Sequence, residues 1–308
     1  MRIQHRLSGI GRIGVLVFLG ALIVLALVRM SAAYIDIGTT GDFDGARLTS
    51  YDFSAVPESV REDADALAAG LFGTGDKYRA FVDQLLASYL DTRDKDFIVL
   101  FNPGGWGTST INETPGWLTI IDAIKSELDS SGRTSVVLTY QRTGSSLLAR
   151  FKELTEILNH YPSKAADLAG RVAFLTRNNP ALTVIVAGES SGTVFSDYTL
   201  EKLGKNEQVY SIQTGVPYWH RPLVREQTLR INSNGVRPDS LSQGNIPLML
   251  WATVKSVLGF DDDAQGRVFR YLKAPGHDYS WQYQEISDQI IQFLKTSFNI
   301  IVGEAPVD

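Results

Sequence analysis

Apolar residues in this chain alternate between two spacings. Continuous, mostly β-branched or aromatic runs occur at Phe97 to Phe101, Ser135 to Tyr140, Leu182 to Ala187, Val209 to Gln213, Thr228 to Ile231 and Arg267 to Leu272. Runs of this length, bounded by Gly, Pro or charged residues, predict strands buried in a sheet. Between them, apolar residues recur every three to four positions. In Lys77 to Leu90 they are Tyr78, Phe81, Val82, Leu85, Leu86 and Tyr89, the face of an amphipathic helix. The same spacing predicts helices over Pro115–Leu128, Ala165–Arg177, Thr193–Leu203, Ile246–Leu258 and Trp281–Phe298. Thr114 and Pro115 read as N-cap and first residue of the second of these helices. Strands alternating with helices of ten or more residues imply an α/β fold, a mostly parallel central sheet with helices on both faces. Right-handed crossovers then gather the strand C-termini along one edge, where such folds hold their sites.

Three segments stand outside this alternation. Residues 144–163 form an insertion whose Leu147, Leu148, Phe151, Leu154, Ile157 and Leu158 suit an amphipathic helix. It is expected to pack on the surface, with a lid over the site as the alternative. Residues 36–75, rich in Gly, Asp, Thr and Ser, read as a tether or irregular approach to a domain spanning 76–308. Residues 1–35 read as one hydrophobic helix. Arg2, Arg6 and Arg12 precede an uncharged run, Ile13 to Val28, of sixteen residues. That run gives about 24 Å of helix, and Arg29 can snorkel while Met30 to Ile35 extends it. The expectation is an uncleaved membrane anchor through residues 13–35. A signal peptide cut near Ser31-Ala32-Ala33 is the alternative, giving a secreted protein. Either reading leaves the basic end in the cytoplasm and the domain periplasmic or extracellular.

Composition narrows the chemistry. The chain has 308 residues, 44% hydrophobic and 20% charged, enough for one large core. Its net charge of −5 is dispersed and no basic stripe exists, so no nucleic-acid partner is expected. The absence of cysteine excludes disulfides, thiolate metal sites and a thiol nucleophile. No His/Asp/Glu spacing suggests a metal, and no cofactor is expected. There are four histidines, His5, His160, His220 and His277, so a mechanism needing an imidazole base has few choices.

The run Leu182 to Ala187 ends in Gly188-Glu189-Ser190-Ser191-Gly192, and a helix-compatible stretch follows. A strand that turns sharply into a helix holds a serine in a strained, exposed position, and the flanking glycines relieve the crowding of that turn. Ser190 is therefore the candidate nucleophile. A hydroxyl needs a base to take its proton. His277 follows the last predicted strand and so falls on the same sheet edge as Ser190. His5 lies in the basic N-terminal segment, His160 in the insertion and His220 in an earlier loop. A carboxylate must then hold the imidazole. Asp239, in the loop after strand 228–231, is the choice, ahead of Asp261, Asp262, Asp263 and the adjacent Asp278. Backbone donors for an oxyanion are expected from Ser191, next to the nucleophile, and from Gly104 or Gly105 in Asn102-Pro103-Gly104-Gly105-Trp106-Gly107, the loop after strand 97–101.

The elbow, the late histidine, the aspartate between them and the glycine-rich loop together resemble the α/β-hydrolase superfamily over roughly residues 75–300. The resemblance implies acyl transfer to Ser190 and hydrolysis of an ester, thioester, amide or peptide, with a small-molecule or lipid-like acyl substrate. The chain departs from the family at Asn102-Pro103, where many members have His-Gly. The competing class is a membrane-anchored binding or scaffold protein of the same shape without catalysis. Two other matches carry nothing. Gly9 to Gly14 fits G-x-G-x-x-G without a preceding strand, and Gly70 to Gly75 has phosphate-loop spacing but Asp76 where lysine is required. Helix 246–258 and Trp219, Trp251 and Trp281 are expected to serve packing.

Overall fold

The structure, a computed structural model, describes residues 42–43, 51–144, 147–260, 265–268 and 272–300. The N-terminal apolar run and Asp261, Asp262 and Asp263 lie outside the described residues. Among the described residues, no helix is long and apolar enough to cross a membrane.

Five parallel strands form the centre: β2 (Phe97–Asn102), β3 (Ser135–Gln141), β4 (Thr183–Glu189), β5 (Val209–Thr214) and β6 (Thr228–Ile231). A two-residue strand, β1 (Asp42–Phe43), adds antiparallel to β3, giving the order β1-β3-β2-β4-β5-β6. The helices are α1 (Glu58–Phe72), α2 (Asp76–Thr92), α3 (Pro115–Ser130), α4 (Leu147–Leu158), α5 (Lys164–Asn178), α6 (Ser191–Leu203), α7 (Ile246–Val257) and α8 (Gln284–Phe298). The parallel α/β architecture agrees with the expected fold class and is consistent with the α/β-hydrolase fold that the sequence resembles.

Strand periodicity explains the two layers. Along β2, Ile98 and Leu100 join a core built with α1, α2, α5 and α6, while Phe97, Val99 and Phe101 face α3 and α8. Both faces are covered, which is why these strands read as unbroken apolar runs.

Four expectations need correction. Residues 58–72 are not an irregular approach but helix α1, which buries Val60, Ala64 and Ala68 at four-residue spacing. Arg267 to Leu272 is not a strand of the main sheet. β7 (Gln265–Val268) and β8 (Leu272–Pro275) pair antiparallel as a separate hairpin. Helix α4 forms within the insertion, but Glu153, Thr155 and Glu156 are buried on it, while Leu158 is exposed. Helix α7 buries only Met249 and Ala252, against the hairpin. Its Leu250, Trp251 and Val257 stand 55%, 59% and 81% exposed, and Trp219 is likewise exposed. A hairpin of two short strands is too narrow to cover a helix that is apolar on most of its circumference.

Candidate active site

Ser190 joins β4 to α6 with φ 53° and ψ −123°, a left-handed conformation that a non-glycine residue adopts only under constraint. Crowding supplies the constraint. A Cβ on Gly192 would lie 2.1 Å from the Asn102 carbonyl oxygen, and one on Gly188 would lie 2.8 Å from Ser196 Oγ. The two glycines thus let α6 start against the end of β2. Ser190 N–H donates to Thr214 O at the end of β5 (2.9 Å), and Thr193 N–H and Oγ1 both donate to Ser190 O.

The acid and base come from two turns that pack on each other. Asp239 follows β6 and His277 follows β8. Ser240 N–H donates to Pro275 O (3.0 Å), and a Cβ on Gly276 would lie 2.3 Å from Pro238 O. His277 Nδ1 lies 2.7 Å from Asp239 Oδ2, both side chains buried. Asp239 also accepts from Leu241 N–H (2.8 Å), Ser242 N–H (3.2 Å), Ser242 Oγ (2.9 Å) and the Tyr279 hydroxyl (2.6 Å). Burial disfavours its charge, yet the hydrogen bond and charge of His277, with Tyr279 and Ser242, outweigh burial and hold Asp239 below the usual carboxylate range. The same environment, burial first and then Asp239, pushes the Tyr279 hydroxyl well up. An ionised carboxylate can only accept, so the contact with Asp239 calls for the proton on His277 Nδ1.

His277 packs on the strand end that holds the elbow. A Cβ on Gly215 would lie 2.5 Å from His277 Cε1, and Gly215 directly follows Thr214, the acceptor of Ser190 N–H. Among the described residues no hydrogen bond joins Ser190 Oγ to His277. Such contacts often tighten only when substrate binds.

The glycine-rich loop lies against the elbow. A Cβ on Gly104 would lie 3.2 Å from both Ser190 Cβ and Glu189 O. Gly104 N–H faces the Glu189 carboxylate. Burial pushes the Glu189 carboxyl up, opposed by the charge of His277 and by that N–H. Asn102 donates from Nδ2 to Ser196 Oγ (2.8 Å) and ties the end of β2 to α6. Gly104 O accepts from Gly107 N–H (3.1 Å), closing the loop as a turn, while Ser191 Oγ donates to Gly105 O (2.7 Å).

Ser190, Asp239, His277, Gly104, Gly105 and Ser191 therefore all lie at the carboxyl edge of the sheet. Among the described residues, the competing groups are used elsewhere. Asp278 accepts from Asn234 and the Tyr283 hydroxyl. His220 pairs with Asp197 (2.9 Å) and His160 is exposed beside Tyr198. Among the described residues no group of three or more His, Asp or Glu could hold a metal ion.

Residues that the sequence did not single out also enter the site: Glu189, Tyr279, Ser242 and Arg142. Glu189 lies inside the elbow pentapeptide, and Tyr279 lies two residues after His277, so proximity in sequence was the available signal. Arg142 directly follows an apolar strand at the site edge, a place where a charge needs a reason.

No protein-family model matches this chain, and no curated protein matches it in sequence. Among solved structures, the chain is similar to Trichoderma reesei cutinase in complex with a C11Y4 phosphonate inhibitor. The identity is 17% and the TM-score 0.36, over 62% of this chain and 82% of the cutinase.

Proposed function

We propose that this protein is a serine hydrolase that cleaves an ester, thioester or related acyl bond. One observation carries the reading. A serine held at positive φ on a strand–helix turn shares a sheet edge with a buried aspartate–histidine pair.

In this reading His277 Nε2 takes the proton of Ser190 Oγ as the oxygen attacks the acyl carbon. The N–H of Ser191 stabilises the oxyanion together with that of Gly105, or with that of Gly104 once it turns from the Glu189 carboxylate to the substrate oxygen. Collapse of the tetrahedral intermediate expels the leaving group, which receives its proton from His277. Water, activated by the same imidazole, then releases the acid from Ser190. Asp239 stays ionised and steadies the imidazolium through Nδ1.

Attachment to a membrane through residues 13–35 belongs to the same proposal. It rests on the length and charge flanks of that run. Gel migration of the mature chain tests it, since loss of about 33 residues means a cleaved signal.

Hydrolysis of p-nitrophenyl esters of increasing acyl length tests the activity and ranks substrates. The proposal expects turnover that Ser190→Ala abolishes. Equal turnover by wild type and Ser190→Ala would refute it.

A further inference from the structure

One buried guanidinium joins the two segments that carry the candidate oxyanion donors. Arg142 is essentially unexposed, as are Glu153 and Lys164 beside it. Its Nη1 donates to Pro103 O (2.8 Å), and its Nη2 reaches Ser191 Oγ (3.3 Å) and Gly105 O (3.5 Å). Its backbone N–H donates to Gly107 O (2.9 Å). Gly107, at φ +69°, has no Cβ because the arginine fills that space, with Arg142 Cζ 2.7 Å from where a Cβ would stand.

The fork is itself fixed. Nε donates to Glu153 Oε1 (3.0 Å), and Lys164 Nζ holds Glu153 Oε2 (2.6 Å) as well as the Arg142 carbonyl. The guanidinium carbon sits 5.2 Å from the Phe195 ring centre and 5.8 Å from that of Tyr161. Burying two cations and a carboxylate together is rarely the cheapest way to stabilise a fold, because desolvation offsets the attraction. Fixing a geometry is the best-supported reason to keep such a cluster.

The geometry concerned follows from peptide planarity. In a trans peptide the C=O and N–H point in opposite directions. With Pro103 O turned to Arg142, Gly104 N–H must point away from the guanidinium, toward the Glu189 carboxylate on the elbow beside Ser190. A cation on the carbonyl end also polarises the peptide and strengthens its N–H as a donor. Through Ser191 Oγ, the same guanidinium holds this loop in register with the first turn of α6.

We infer that Arg142 is the positioning residue of the oxyanion site, orienting the Pro103–Gly104 peptide and coupling it to Ser191. The inference rests on the hydrolase reading above. A lysine cannot substitute, since one ammonium cannot span Glu153, Pro103 and Ser191 together.

Arg142→Lys and Arg142→Met test it by fluorophosphonate labelling, with rate constant and final labelled fraction measured separately. Both variants should reach the wild-type labelled fraction but label about 10²-fold more slowly. Both kcat values on a p-nitrophenyl ester should fall by a similar factor with little change in KM, as for loss of an oxyanion donor. Ser191→Ala, which keeps its backbone N–H, should show the same pattern at about tenfold. It decides the matter if the arginine variants do not fold. A reduced labelled fraction whose folded molecules react at the wild-type rate would make Arg142 merely structural and overturn the inference. So would unchanged rates in Arg142→Lys or Ser191→Ala. A wild type that never labels would instead refute the hydrolase reading.

Discussion

His277 Nδ1 meets Asp239 Oδ2 at 2.7 Å inside the protein, and the Tyr279 hydroxyl meets the same oxygen at 2.6 Å. The carboxylate therefore fixes which imidazole nitrogen carries the proton. Asp239→Asn keeps the shape but can present an N–H to Nδ1, which favours the wrong tautomer. The expected result is a fall in kcat of about 10⁴-fold with an unchanged circular dichroism spectrum. Near-normal kcat would move the acid's role to Asp261, Asp262 or Asp263.

Asp239 also links stability to pH. Despite burial, its bonds to His277, Tyr279 and Ser242 lower its pKa in the folded state. A lowered carboxyl contributes stability that is present above the ordinary aspartate value of about 3.9 and lost as pH falls through the folded value. Thermal midpoints of the wild type should thus fall more steeply below about pH 4 than those of Asp239→Asn. Parallel curves would contradict this.

Glu189 carries the opposite sign. Burial raises its pKa, with His277 and Gly104 N–H only partly opposing it. Its contribution is therefore most favourable below the ordinary glutamate value of about 4.3 and is lost as pH rises through the folded value. Glu189→Gln, of nearly equal volume, should raise the thermal midpoint at pH 7 to 8 and give no gain near pH 4. A gain independent of pH would point to packing instead.

Gly215 separates the imidazole from the end of β5. In Gly215→Ala the new methyl would stand 2.5 Å from His277 Cε1, at φ +66°. The left-handed backbone costs about 1–2 kcal/mol, measurable by urea unfolding. Displacing His277 by a fraction of an ångström to an ångström should lower kcat about 10²-fold. Wild-type kcat in this variant would show that His277 does not need its place against Gly215.

Much of the frame was legible because strands buried on both faces leave unbroken apolar runs, as in Phe97 to Phe101. The elbow was legible because its glycines answer a local steric demand. What escaped depends on tertiary neighbours. Helix α1 was hidden by the polar composition of residues 36–75, although Val60, Ala64 and Ala68 already follow a helical spacing. Helix α4 was read by its leucines, yet Arg142 and Lys164 draw Glu153 inward from segments before and after it. No periodicity announces an ion cluster assembled from three elements. The exposed apolar face of α7 was likewise unreadable, because its span between two predicted strands implied a sheet to cover it.

The central claim is that Ser190 is a nucleophile activated at this edge. A fluorophosphonate probe followed by peptide mapping tests it most directly. The account predicts one adduct per chain, on Ser190, absent from Ser190→Ala and strongly slowed in His277→Ala. No labelling of the folded wild type, or equal labelling of Ser190→Ala, would contradict it.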